Sequence, residues 1–294
     1  MSCEILVQTL IKLAGNAQGI LHRRLPSIIP GLCFLGAAST LMAQHVRHSP
    51  PVTTPPATIS ATPSARIVAP PADYRFPNGQ NYVYGVEWHF FNAGTVAVKM
   101  ASAGAQQRVT AIGDSGGVVN ALYKVHDLFE ARFDPRTFCS LHISKHIAEG
   151  SHRRQTELAL DYARHKSVFD DKNLKTGESR HTENEIPACV TDVLSGFYYL
   201  ASLPLEPGTF NTFVVSDGTK TTDVTAHVEA REHVRVPAGS YQTVRVRAEP
   251  ASGPLKGKTT IIVWFSDDPN HVPVLMRSKL GWGTLMFRLQ RLEK

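Results

Sequence analysis

Val224-Thr225-Ala226-His227-Val228-Glu229-Ala230-Arg231 is followed by the step Pro237-Ala238-Gly239 and then by Val244-Arg245-Val246-Arg247-Ala248. Small apolar residues hold every second position, and threonine, histidine, glutamate and arginine stand between them. Successive side chains of a strand point to opposite faces, so this spacing makes a hairpin with one dry and one wet face. The same period recurs upstream. Tyr82, Tyr84, Val86, Trp88 and Phe90 share one face, Glu87 and His89 take the other, and Asn92-Ala93-Gly94 turns the chain into Val96, Val98 and Met100. Downstream, Ile261 to Phe265 is continuously apolar, as expected of a strand covered on both sides, and Leu285, Phe287 and Leu289 alternate again.

Helical spacing is rare. It is clearest from Thr191 to Leu203, where Val193, Leu194, Phe197, Tyr198 and Leu200 recur, Thr191 or Asp192 can cap the start and Pro204 helps to stop it. Asn120 to Val125 reads as a second short helical turn. The expected fold is all-β: a single antiparallel sheet, curved or closed into a barrel-like domain, with one short helix packed at an end or across it.

Three segments precede or make up this body. Residues 1–43 are signal-like: His22-Arg23-Arg24 leads into an apolar run from Ile28 to Met42 that ends before Gln44. The run is interrupted by Pro30 and Gly31 and falls short of the ~20 apolar residues of a membrane span. Cleavage is the favoured reading, with an uncleaved N-terminal anchor as the alternative and as the only route to membrane association. Cys33 follows Pro30-Gly31-Leu32, which lacks the small residue expected just before a lipid-modified cysteine. Residues 44–73 are rich in Pro, Thr, Ser and Ala and poor in large apolar side chains, the composition of an extended tether. Residues 74–294 form one β-rich domain, long enough for a single core.

The formal net charge is +6, and loss of residues 1–43 with Lys12, Arg23, Arg24 and Glu4 leaves +4. The remaining Lys and Arg are interleaved with Asp and Glu, which argues against a nucleic-acid surface. Cys139 and Cys189 are the cysteines left after the front segment. In an oxidising compartment they can form one disulfide; otherwise they are two buried thiols.

The aromatic residues either fill the interior or line a cavity for an apolar ligand; in the second case Trp88, Trp264, Phe197 and Tyr198 are the candidates. Ser266-Asp267-Asp268-Pro269-Asn270-His271 groups two carboxylates with an imidazole, yet Asp, Pro and Asn are also what a β-turn needs, and the turn is favoured over a metal site. His142, His146, His152, His165 and His181 lack compact ligand spacing and read as a solvated face, with a pH-sensitive contact for an anionic component as the lesser reading. Gly113-Asp114-Ser115-Gly116-Gly117 superficially matches a nucleophile turn, but only the serine of such a site is visible, so a glycine-rich loop is expected. No catalytic residue, metal or cofactor is assigned.

Five motifs in order carry a resemblance: Trp88 with Ala93-Gly94; Leu122-Tyr123-Lys124-Val125-His126-Asp127; Asp192-Val193-Leu194-Ser195-Gly196-Phe197-Tyr198-Tyr199-Leu200; Val236-Pro237-Ala238-Gly239; and Trp264-Phe265-Ser266-Asp267-Asp268 with Pro273-Val274. From Asn81 to Leu292 the chain resembles the bacterial domain of unknown function 3108 family. The resemblance implies an exported, mostly antiparallel β domain of the Gram-negative envelope, with the periplasm as its place, and no established activity or catalytic residues. Ala201 stands where that pattern leads one to expect arginine. The expectation is a noncatalytic protein that binds an apolar or amphipathic ligand or an envelope partner; an envelope hydrolase or a structural assembly factor is the alternative.

Overall fold

Period-two alternation becomes one continuous ladder. The structure is a computed structural model that describes residues 65–88, 91–218, 220–253, 255–280 and 283–293. The signal-like segment, the first part of the Pro-rich stretch, and Phe90 and Trp282 of the aromatic set lie outside the described residues. The strands are β1 (Asn81–Trp88), β2 (Phe91–Ala103), β3 (Gln106–Ser115), β4 (His126–Phe133), β5 (Ser140–Glu149), β6 (His152–Asp161) and β7 (Lys166–Asn173), followed by β8 (Ser179–Glu185), β9 (Phe210–Ser216), β10 (Thr221–Val236), β11 (Gly239–Pro250), β12 (Thr260–Ser266), β13 (Pro273–Leu280) and β14 (Gly283–Glu293). Two helices interrupt them, α1 (Gly117–Leu122) and α2 (Val193–Ser202).

All strand pairs are antiparallel, in the order β8-β7-β6-β5-β4-β3-β2-β1-β14-β13-β12-β11-β10-β9. Each strand except β9 therefore neighbours its predecessor, and the two runs meet at one seam, where the first and last strands pair from Asn81↔Glu293 to Trp88↔Leu285. That seam puts β8 and β9, consecutive in sequence, at opposite edges of a sheet that curls but does not close. Residues 190–192 stitch the gap. Ser140 N–H donates to the Val190 carbonyl at 2.9 Å, Thr191 N–H to Val214 O at 3.0 Å, and Ser216 N–H to Thr191 O at 2.8 Å. Beside them the Asn184 amide of β8 donates to Gly218 O at 3.1 Å. Pairing the exposed backbone of β9 in this way removes a template for aggregation.

Helix α2 lies within the predicted span and is capped by Asp192, one of the two expected residues. Helix α1 begins three residues earlier than predicted: Gly117, at φ 54°, starts it directly after β3, and Val125 is drawn instead into a bridge with Glu149. The Pro-rich stretch is not free to residue 73. Arg66 N–H donates to Thr212 O at 2.8 Å and Ile67 packs against the core, so the last part of the expected tether lies along β9.

The interior is knitted by rings. Phe133 stacks on Phe138 at 5.2 Å, Phe138 meets Tyr199 edge-on at 5.6 Å, and Tyr199 meets Phe213 at 5.1 Å, which fastens α2 between distant parts of the sheet. Such pairs contribute about 0.5–1.5 kcal/mol each beyond their buried area.

One buried carboxylate works against the fold. Asp127 of β4 is fully buried, accepts the Ala148 N–H at 2.7 Å, and burial pushes its pKa up to about 6. A folded pKa above the unfolded one means that the stabilising contribution is complete below about pH 4 and is lost as pH rises through about 6. Asp127→Asn keeps the acceptor and removes the charge. It should raise stability by about 1–3 kcal/mol at pH 8. Thermal melts of the two proteins should converge near pH 4; parallel melting curves across that range would refute this.

Candidate functional site

Helix α2 is held over the concave face by its own N-terminus. Asp192 Oδ1 accepts the N–H groups of Leu194 at 2.8 Å and Ser195 at 3.0 Å, and Oδ2 accepts the hydroxyls of Ser140 at 2.6 Å and Ser195 at 2.5 Å. A cap of this kind satisfies donors that a helix start otherwise leaves open. Lys145, buried on the inner face of β5, is pushed down to about 8 by burial, against the opposing charges of Asp192 and Asp171. At the other end of the helix the His271 ring nitrogen Nδ1 bonds the Ala201 carbonyl at 2.7 Å.

Under this helix lie two adjoining apolar chambers. The first has an empty volume of about 850 Å³, part of it open to solvent, with Phe213, Val215, Val224, Ala248, Ile261 and Val263 as its sheet wall. Its roof is Val193, Gly196, Phe197 and Leu200, and Asp217, Lys220, Glu249, Leu255 and Thr259 stand around it where the β9–β10 and β11–β12 connections pass. The second, of about 710 Å³ and likewise partly open to solvent, lies between Leu194, Phe197 and Tyr198 on the helix and Tyr82, Tyr84, Val96, Val98, Met276 and Phe287 on the sheet. Val193, Phe197 and Ile261 line both and form the partition. The phenols of the second chamber are neutral: Tyr84 donates to Pro273 O at 2.8 Å, and burial holds Tyr84 and Tyr198 far above the ordinary phenol value and Tyr82 at about 12.

Of the four residues expected to hold a ligand, the structure brings two together. Phe197 and Tyr198 line the chambers. Trp264 is on the opposite face. It pairs in register with Arg245 and Leu275, donates its indole N–H to Glu232 Oε2 at 2.7 Å, and lies under the Arg277 guanidinium at 5.6 Å. The reason is phase: Val263 and Phe265 pair with the inward Val246 and Val244, so the residue between them must point out. Trp88 ends β1 on the inner face, half-buried against the core, and lines neither chamber. The sequence reading missed Val193, Ile261 and Met276 as lining residues. Ile261 was hidden in an unbroken apolar run, where only pairing with Ala248 reveals the inward face.

The remaining motifs resolve into local structure. Asp267 accepts from Arg231 at 3.0 Å, Asp268 accepts the Asn270 N–H at 2.7 Å, and His271 adopts φ 42°, so this segment is a β-turn whose histidine anchors α2. Among the described residues no three His, Cys, Asp or Glu side chains are grouped so as to hold a metal ion. Ser115 accepts the Val125 N–H at 2.8 Å and donates to Asn120 at 2.9 Å, which closes the α1 loop, while the neighbouring His126 is bonded to Asp114 at 2.7 Å. His142 faces Glu157 and His181 faces Asp170 on separate strands of the β5–β8 half. Cys139 and Cys189 are joined by a disulfide, which ties the start of β5 to the segment leading into α2.

A curled, open antiparallel sheet with a helix-roofed apolar interior defines a barrel-like all-β protein. The model of the family described as protein of unknown function (DUF3108) matches residues 83–290, and the chain belongs to that family. No curated protein matches it. Among solved structures it is similar to a β-barrel-like protein of domain of unknown function DUF1849 from Brucella abortus, at TM-score 0.52 and 9% identity over 78% of this chain and 99% of that one. It is also matched, at TM-score 0.33 and 9% identity over 78% of this chain and 100% of the other, by a protein from Bacteroides fragilis with a YmcC-like fold. At such identities the likeness concerns the fold alone.

Proposed function

We propose that this protein is a noncatalytic binding protein of the cell envelope that holds an apolar or amphipathic ligand beneath α2. The observation that carries the reading is the pair of apolar chambers divided by Val193, Phe197 and Ile261. An acyl chain that passes Asp217, Lys220 and Glu249 between the β9–β10 and β11–β12 connections meets mainly apolar side chains and, in the second chamber, neutral phenols, and its burial stabilises the complex by about 25 cal/mol per Å² of apolar surface. A polar head left at the entrance would meet Lys220 and Thr222. The disulfide supports an exported location, since such bonds persist in oxidising compartments. The hydroxyl of Ser115 is committed to backbone and Asn120, which favours binding over hydrolysis.

Titration with a long-chain fluorescent fatty acid tests the reading. Wild-type protein should bind it with a blue-shifted emission. Ile261→Trp fills the partition and should weaken binding by at least about tenfold, and Val193→Phe should do the same from the helix side. If neither variant changes the affinity while both keep the wild-type fold, the chambers are not the binding site.

A further inference from the structure

The first chamber is edged by connections at one end of the sheet, and that end differs from the other. In a meander of this register all odd-to-even connections fall at the same end: β1–β2, β3–β4 with α1, β5–β6, β7–β8, β9–β10, β11–β12 and β13–β14. Three large apolar side chains are displayed there with little cover: Phe91 is 69% exposed, Val118 75% and Leu122 77%. They are neighbours, because α1 packs beside the start of β2, where Gly116 N–H donates to Ala93 O at 3.0 Å. Val118 and Leu122 are four residues apart on α1, hence on one side of a helix that buries none of its residues. Exposed apolar groups gathered in this way mark an interaction surface.

Charge at the same end identifies the partner. Lys124 follows α1, Lys220 stands at the first chamber, and Lys256 and Lys258 flank it on the β11–β12 connection; all four are exposed. None of them makes an ion pair among the described residues. Among the acids at this end Asp114 is taken by His126, Glu249 by Arg247 and Glu87 by Arg288, Asp217 is buried, and the exposed Glu178 and Asp223 are the exceptions. The far end is different, with Asp134, Glu206 and Asp267 drawn into pairs with Arg136 and Arg231. Apolar side chains that reach into an interface, on the same end of the sheet as unpaired lysines, are the complement of an anionic lipid surface.

We propose that the end bearing α1 docks on an anionic phospholipid membrane, with Phe91, Val118 and Leu122 entering the acyl boundary and Lys124, Lys256 and Lys258 lying on phosphate. This deepens the binding reading, on which it rests for its purpose, by making the bilayer the source of the chamber's ligand. Docking would bring the chamber entrance to the lipid without exposing the acyl chain to water.

Flotation with vesicles of phosphatidylethanolamine, alone or mixed with phosphatidylglycerol, tests it on the full chain. The protein should float only with the mixed vesicles and should be released by high salt. Lys124→Glu, Lys256→Glu and Lys258→Glu together should lower the vesicle affinity by about a hundredfold. Phe91→Ser with Val118→Ser and Leu122→Ser should abolish flotation even at low salt. Failure of the wild type to float, or flotation untouched by both variants, overturns the proposal. A dimer in light scattering that the serine variant dissociates would instead assign the patch to a second copy and overturn it. Fatty-acid binding separates the two ideas, because Ile261→Trp should lose that binding yet still float, whereas the lysine variant should bind fatty acid normally and fail to float.

Discussion

Replacing Asp192 with alanine should cost about 3–5 kcal/mol, because it strips four buried donors of their acceptor and removes a carboxylate whose charge favours the buried Lys145 ammonium. The effect is large because two structures fail together. Helix α2 loses the acceptor of Leu194 and Ser195, and the hydroxyls of Ser140 and Ser195 lose theirs. Lys145 also keeps its buried position while losing the first of its two opposing charges. A cap alone is worth about 1 kcal/mol, so the measured figure tells the two effects apart. Chemical denaturation at pH 7 is the measurement, and a loss under about 1 kcal/mol would mean that the ammonium is not coupled to the cap. The double change Lys145→Met with Asp192→Asn provides the cross-check. With no charge left to bury, it should recover most of the loss. Because α2 roofs both chambers, Asp192→Ala should also weaken fatty-acid binding, whereas the double variant should largely restore it.

Breaking the disulfide should have an effect of similar size. Cys139 and Cys189 are separated by 50 residues, and loop-closure entropy puts the stabilisation from such a cross-link at about 4 kcal/mol. Cys139→Ala with Cys189→Ala should therefore unfold at markedly lower denaturant than the oxidised wild type, and reduced wild type should coincide with the variant. The bond joins the start of β5 to the segment before α2, which also bridges the sheet edge through Thr191. Hydrogen exchange should accordingly rise first in α2 and in residues 190–192, and spread evenly only if the link acts through the unfolded chain alone.

Much of the fold was legible because strands and helices write different periods. The hairpin from Val224 to Ala248 is present in the predicted phase over its first half, where Val228 pairs with Val246 and Ala226 with Ala248. A bulge between Val228 and Ala230 then shifts the register, so Arg231 rather than Ala230 stands opposite Val244. Nothing in the alternation announces that extra residue, since a bulge is defined by two strands together. Helix α2 is readable from its spacing and its cap, and Phe197 and Tyr198 lie on the side of it that lines the chambers. Trp264 was misplaced because Ile261 to Phe265 is apolar at every position, which removes the period that would have shown its phase. Its outward face is apolar only in part. The indole lies among Glu232, Arg245 and Arg277, a ladder of charges that shields it and that comes from three other strands.

Local chemistry by itself settled the class of structure: two-faced strands, one capped helix, turns at Asn92-Ala93-Gly94 and Pro237-Ala238-Gly239, and a pair of cysteines at a distance that one disulfide can span. These are properties of short windows, in which each residue constrains only its near neighbours. The tertiary structure decided that the first and last strands pair, that the edges stay open and are stitched by residues 190–192, and that the interior keeps room under α2. Such outcomes depend on which face of a curling sheet becomes concave and on contacts between residues as distant as Asn81 and Glu293. Alternation defines two faces but is symmetric between them, and only the packing of the whole sheet breaks that symmetry.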